Sequence, residues 1–311
     1  MDIESYKNVL FNPGRANLQK QLTQIFIQLA LRSSRKDFAL STVDVEELIR
    51  AREDAQALLD HYFSMMQEHA EERRKNLQAL QGIKFISLGS DCLSRTVPTV
   101  WGIKPWKKLG ENSHPFDLAV HPLPAVISLI KNDFEDYLSP ENLFFNKDRN
   151  VVMNKKLKIF FNHEAGSEYA ENNFELLVET YRRRIANFQK DIAAHDTIAF
   201  ILHLVNPQPQ SLGNIERLWA LLDHKWPRKT KALLVINTWP HGKSMKLDKT
   251  SLDGNERVRM LNLNDPSPGY VWHRPKDCFS PEGVAFERQI VRFIRKSLQD
   301  MAMVGTGTDL A

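Results

Sequence analysis

Hydrophobic residues recur at helical spacing along the first 80 residues, which contain a single proline and a single glycine. The first set of apolar positions predicts an amphipathic helix over Arg15–Arg32. A second set, with opposite charges four residues apart on its polar face, predicts a longer helix from Val45 towards Leu80. We therefore predict a helical hairpin over residues 1–81. It packs on the main domain or on another chain, so residues 15–80 are the expected surface for a protein partner or for self-association.

The hydrophobic pattern changes after Gly82, where short continuous apolar runs begin to alternate with amphipathic helical segments. The pattern predicts strands at Ile83–Leu88, Val151–Met153, Leu157–Phe161, Thr197–Val205, Ala232–Thr238 and Arg257–Leu263. It predicts helices at Ala125–Leu138, Phe174–Ile192, Ile215–Leu222 and Pro281–Met301. Continuous apolar strands that alternate with helices are typical of a parallel sheet covered on both faces. We predict a three-layer α/β domain over residues 82–301, with a mostly parallel sheet, and a flexible tail over residues 302–311.

Polar and reactive residues follow several of the predicted strands. In a parallel α/β sheet the functional groups gather at the carboxyl ends of the strands, so these positions are the expected site. The predicted strand ends are Gly89–Cys92, Asn162–Glu164, Asn206 and Thr238–Trp239.

The amino-acid composition, the net charge and the cysteine count exclude several classes of protein. Hydrophobic residues make up 42% and charged residues 26% of the 311 residues, which is ordinary globular usage. The net charge of +4 is too small to predict a nucleic-acid partner, and Arg182–Arg184 is expected to be a solvated helix face. No apolar run reaches the roughly 20 residues that a membrane span requires. Two cysteines exclude a disulfide scaffold and favour a reduced, cytoplasmic compartment.

Cofactor and metal sites have no sequence support. The chain contains neither of the glycine-rich phosphate-binding patterns, GxxxxGK or GxGxxG. No histidine or cysteine pair has the spacing of metal ligands, so we expect no cofactor and no metal.

Cys92 is the first candidate for chemistry, because it lies in a Gly-Ser-Asp-Cys turn directly after a strand. If a helix begins there, its amide dipoles are expected to lower the pKa of the thiol. The alternative, a buried structural cysteine, stays open. Cys278 lies in a polar loop and is expected to be inert.

Several histidines and acids are candidate partners for Cys92. His163 is expected at a strand end, and His114 and Asp117 form a His-Pro-Phe-Asp loop. Asp117 can orient a histidine, as in a catalytic triad, or cap a turn. His273 and Asp277 precede the last helix and form a second candidate pair, although this segment also has the features of a helix start, with Ser280 as N-cap.

Four segments together resemble a bacterial family of unknown function described as papain-like cysteine peptidases. The segments are Phe85–Cys92, Ser113–Leu118, Asn132–Leu138 and Phe161–Glu164, in the order the family shows, within roughly residues 83–200. The resemblance implies Cys92 as nucleophile, His163 as base and Asp117 as possible orienting group.

The sequence departs from this family at two positions. Asp91 stands where the family has Asn, and Leu118 stands where it has Trp. An acid next to a thiolate raises the pKa of the thiol.

A weaker, architectural resemblance is to GDSL/SGNH esterases, enzymes that act on acylated glycans or similar esters. It implies Ser90 or Cys92 as nucleophile, Asn206 as oxyanion donor and His273 as base, with Asp277 nearby. The Gly-Asp-Ser order and the Asp-x-x-His spacing of those enzymes are absent.

The sequence thus predicts a cysteine-dependent hydrolase of peptidase, amidase or acyl-transfer type, with Cys92, His163 and Asp117 as catalytic residues. Two alternatives stay open: an SGNH-like esterase, and a non-catalytic module that binds protein through the N-terminal helices. The alternation of strands and helices favours an α/β sheet over a true papain fold.

Overall fold

The computed structural model describes residues 71–243, 247, 255–278 and 280–303. Most of the predicted hairpin over residues 1–81 lies outside the described residues, as does most of the predicted tail. The last part of the hairpin segment is helical over residues 71–79. None of the helices in the described ranges is long and apolar enough to cross a membrane.

Seven strands form from the described residues and divide into two sheets. The strands are β1 (Lys84–Ser87), β2 (Leu143–Asn146), β3 (Val151–Asn154), β4 (Ile159–Ala165), β5 (Thr197–Val205), β6 (Thr230–Trp239) and β7 (Val258–Asn264). The larger sheet has the order β1-β5-β6-β7, and every neighbouring pair is parallel. The predicted parallel sheet is therefore confirmed.

Six α-helices with complete bounds accompany the described strands. They are α1 (Leu93–Val100), α2 (Leu123–Lys131), α3 (Glu171–Ala194), α4 (Ser211–Lys225), α5 (Pro275–Cys278) and α6 (Pro281–Asp300). α2 ends seven residues before the predicted Leu138, because the backbone enters the left-handed region at Asp133 and Phe134. α6 begins where the sequence predicts, with Ser280 Oγ accepting from the Gly283 amide at 3.0 Å.

The parallel sheet is the middle of three layers, because alternate residues of each strand enter different cores. On β5, Ile198, Phe200 and Leu202 pack with apolar residues of α2, α3 and α4. Ala199 and Ile201 face the opposite way and pack with α1 and α6. Both faces of the strands are buried, which explains why their sequences are continuous apolar runs.

The smaller sheet is antiparallel, with the order β2-β3-β4. The hydrophobic pattern did not predict β2, and its prediction of Asn162–Glu164 at a strand end of the parallel sheet is wrong: β4 continues to Ala165 in the antiparallel sheet. The chain between β3 and β4 reverses direction through Lys158 in the left-handed region, which makes the two strands a hairpin. An isolated antiparallel bridge between Val120 and Phe160 joins this hairpin to the segment before α2.

Candidate active site

The turn after β1 carries Cys92 to the carboxyl edge of the parallel sheet. Pairing with β5 continues past the strand, since the Ser90 amide donates to the His203 carbonyl at 3.1 Å. The chain then folds tightly onto the start of α1: a Cβ at Gly89 would lie 2.2 Å from Ser94 Oγ and 2.3 Å from the Asp91 carbonyl oxygen. Glycine is therefore required at position 89. Cys92 is the N-cap residue of α1 and is partly exposed.

Asp91 fastens this turn to the sheet. Its Oδ1 accepts from the Leu93 amide at 3.0 Å and lies 2.7 Å from His203 Nδ1. The Trp272 side chain also lies close enough to lower the pKa of Asp91. Burial raises the pKa of Asp91, but His203 and these donors outweigh it, so the pKa lies below its ordinary value. Asp91 is therefore an ionised carboxylate. Its contacts with the Leu93 amide and with His203 fix the turn that contains Cys92.

His203 completes this arrangement from β5. It lies in the apolar run of this strand and is only 1% exposed. Its Nε2 lies 3.0 Å from Thr238 Oγ1 on β6, while its Nδ1 contacts Asp91. The Asp91–His203–Thr238 chain links the Cys92 turn to the two central strands of the parallel sheet.

His163 approaches Cys92 from the antiparallel sheet. Its Nε2 lies 3.4 Å from Cys92 Sγ, within hydrogen-bond reach of a sulfur atom. The two residues are 71 positions apart in the chain. The hairpin of β3 and β4 brings them together, and a nucleophile–base contact of this kind is what a thiol hydrolase requires.

The free site holds a thiol and a neutral imidazole. Burial, together with the nearby Asp91 charge, raises the pKa of Cys92 to about 12. A backbone hydrogen bond at the helix start lowers the pKa of this thiol, but burial and the neighbouring carboxylate outweigh it. Partial burial also lowers the pKa of His163, and nearby cationic groups add to the effect. At neutral pH Cys92 is therefore protonated and His163 is uncharged in the absence of a ligand.

Asp117 lies in the same region but is fully buried. Its Oδ2 accepts from the His114 amide at 2.8 Å and lies 3.4 Å from Arg95 Nε of α1. Its Oδ1 is 3.7 Å from Lys104 Nζ. The His114 ring turns elsewhere, with Nε2 2.8 Å from Asp191 Oδ2. The contact with Arg95 thus connects Asp117 to α1, whose N-cap residue is Cys92.

An extended buried ionic cluster, which the sequence pattern did not predict, lies around these residues. Lys84 Nζ lies 2.8 Å from Asp191 Oδ2 and 2.9 Å from Glu111 Oε1, and Lys104 Nζ lies 3.4 Å from Glu111. A single signal was available in the sequence, namely the charge of Lys84 inside an otherwise apolar strand. Buried charges of this kind persist only when they are paired.

A second ionic contact supports β4. Glu164, the neighbour of His163, is buried and accepts from Tyr181 Oη at 2.8 Å. Arg184 also donates to Glu164. The expectation that Arg182–Arg184 forms only a solvated face is therefore wrong for Arg184, which turns inward because Glu164 needs a cation.

The alternative site residues occupy other positions near this edge. Ser90 is held in the turn through its backbone, and Asn206 follows β5 with a left-handed φ of 47°. His273 is exposed, packs edge-on against Trp272, and is close enough to His163 to help lower the pKa of that ring. Asp277 accepts from the Val271 amide at 3.1 Å and so anchors the loop before α5.

Comparison with known proteins gives one match. A family model described as "Putative papain-like cysteine peptidase" matches residues 83–238, which is 156 of the 311 residues. The matched segment runs from the start of β1 to the end of β6 and contains both Cys92 and His163. No curated protein and no solved structure shows significant similarity to the chain.

Proposed function

The chain belongs to the family described as "Putative papain-like cysteine peptidase", and we propose that it is a cysteine-dependent hydrolase of amide or related acyl bonds. The observation that carries the proposal is the 3.4 Å contact between His163 Nε2 and Cys92 Sγ. Cys92 is the nucleophile, and His163 is the base.

The raised pKa of Cys92 favours a general-base route over a preformed thiolate. Sγ attacks the substrate carbonyl carbon while its proton passes to His163 Nε2. The resulting imidazolium then gives that proton to the leaving nitrogen or oxygen as the carbon–heteroatom bond breaks, leaving a thioester on Cys92. Water attacks the thioester with His163 again as base, and the carboxylic acid and free thiol are released.

The start of α1 supplies groups for the oxyanion of this reaction. The Leu93 amide is occupied by Asp91 Oδ1 at 3.0 Å. We therefore assign the oxyanion site to the amides of Cys92 and Ser94, which lie at the positive end of the helix.

Asp117 acts in this proposal through α1. Its contacts are with Arg95, Lys104 and the His114 amide. It is a positioning residue that fixes Arg95, one turn after Cys92, and thereby the direction in which the thiol points.

Selective alkylation tests the proposal. Iodoacetamide at neutral pH is expected to label Cys92 before Cys278 in the folded protein, since Cys278 is only 7% exposed. His163→Ala should slow labelling of Cys92 by at least about tenfold, because general-base assistance commonly contributes 10²–10⁴-fold. Mass spectrometry of each cysteine peptide gives both rates.

His273→Ala is the matched control, since it removes another imidazole that affects the pKa of His163. It should leave the labelling rate of Cys92 within about twofold of the wild-type rate. Equal, slow labelling of both cysteines would remove Cys92 as nucleophile. A loss of labelling in His273→Ala but not in His163→Ala would transfer the role of base to His273.

A further inference from the structure

A pocket of about 230 Å³ lies at the carboxyl ends of β5, β6 and β7, beside the Cys92 turn. Asp91 and Leu93, the two chain neighbours of Cys92, belong to its wall. Trp272 also lines the pocket, and the next residue, His273, is close enough to His163 to affect the pKa of that ring. The two neighbours of Cys92 and the segment before His273 thus border one pocket, so a substrate bound at Cys92 has this pocket near it.

The pocket contains one carboxylate that no described residue binds. Asp91 is already bound by the Leu93 amide and by His203. Asp265 follows β7 and is half-buried, and its carboxylate forms no hydrogen bond or ion pair with a residue of the described ranges. Burial raises the pKa of Asp265, and His203 and His241 only partly oppose this. A cation placed beside Asp265 would relieve the cost of burying its charge.

The remaining wall is aromatic. Trp239 and Tyr270 line the pocket and are 1% and 8% exposed. Trp272 lies in the same wall and is partly exposed. Aromatic faces attract cations.

From these observations we infer that the pocket binds a cationic group of the substrate, a protonated amine or a guanidinium, through the Asp265 carboxylate and the aromatic wall. The inference rests on the proposed function and adds to it a substrate class. The substrate is a peptide or amide that carries a basic side chain or a free amino group close to the bond that is cleaved.

Charge-matched alkylating reagents test the inference at the proposed nucleophile. Three bromoacetamides with N-alkyl tails of equal length end in an ammonium, a methyl or a carboxylate group. The half-saturating concentration for alkylation of Cys92 should be about fivefold to tenfold lower for the ammonium reagent than for the methyl reagent. The carboxylate reagent should bind most weakly, and the maximal rates of all three should be similar, because the pocket affects binding and not the thiol.

Asp265→Asn should abolish this preference, and Asp196→Asn should keep it. Asp196 undergoes the same charge change at the opposite end of β5, where its side chain is 99% exposed. Equal half-saturating concentrations in the wild type, or a preference that survives in Asp265→Asn, would overturn the inference while the proposed function stands.

Equilibrium binding separates the inference from the proposed function. If no reagent labels Cys92, the proposed function fails, and hexylammonium is titrated against hexanol into the Cys92→Ser protein. Tryptophan fluorescence reports binding, because Trp239 and Trp272 line the pocket. Tighter binding of hexylammonium that is lost in Cys92→Ser/Asp265→Asn keeps the cation pocket, and equal binding of the two probes overturns it.

Discussion

At the residue scale, the chemistry of Cys92 is determined by its immediate neighbour. Burial is the largest cause of its raised pKa, and the charge of Asp91 is the second. The same carboxylate holds the turn through Leu93 and His203. Asp91 therefore fixes the geometry of the nucleophile and at the same time keeps it protonated, which makes the site dependent on His163 for proton removal.

Replacement of Asp91 by asparagine should separate these two effects. Asp91→Asn keeps an oxygen acceptor but removes the negative charge, so the pKa of Cys92 should fall while remaining above the roughly 8.5 of a free thiol, since burial persists. The pH profile of iodoacetamide alkylation at Cys92, followed by mass spectrometry, should show its inflection at lower pH than the wild-type profile.

Asp196→Asn serves as the charge control for this profile and should leave the inflection where the wild type has it. An inflection in Asp91→Asn that is unchanged or higher would show that the carboxylate charge does not control the thiol.

At the scale of elements, the connection between β1 and α1 depends on one close approach. A side chain at Gly89 meets Ser94 Oγ and the Asp91 carbonyl oxygen at 2.2 and 2.3 Å. The start of α1 would have to move away from β1 to relieve this contact. Because Cys92 is the N-cap of α1, the displacement would also move the thiol relative to His163.

Gly89→Ala is expected to lower the free energy of unfolding by about 1–3 kcal/mol, as overpacking at a rigid site commonly does. Chemical denaturation measures this loss. Gly213→Ala is the matched control: Gly213 lies in α4 with no atom within 4 Å of an added Cβ, so alanine should stabilise the helix by up to about 1 kcal/mol. Equal stability of the Gly89→Ala and wild-type proteins would show that the turn adapts without strain.

At the scale of the whole molecule, buried charges join the parallel sheet to α1 and to the loop before α2. Lys84 of β1 contacts Glu111 and Asp191, and Lys104 lies between Glu111 and Asp117. Burial alone would raise the pKa of Asp117, but Lys104, His114 and Arg95 hold it below its ordinary value. Removing one member leaves another charge buried without its full set of partners.

Acid should therefore weaken the fold through this cluster. Since the folded pKa of Asp117 is below the unfolded value of about 3.9, its contribution is complete above that pH and is lost as the pH falls towards the folded pKa. Asp117→Asn should cost about 3–5 kcal/mol of unfolding free energy at pH 7. Denaturant titrations from pH 7 to pH 3 should show this difference shrinking below about pH 4. A difference that is independent of pH would contradict the assignment.

The sequence by itself determined the parallel α/β domain, because strands buried on both faces must be continuous apolar runs, and helices at 3.6-residue spacing must cover them. It also singled out Cys92 and His163. The tertiary structure decided what local patterns do not encode. β4 belongs to an antiparallel hairpin, His163 reaches Cys92 across 71 residues, and Lys84, Lys104 and Arg184 turn inward towards buried acids. The pKa of Cys92 depends on both: the charge of Asp91 is visible in the sequence, but burial, which is the larger cause, exists only after folding.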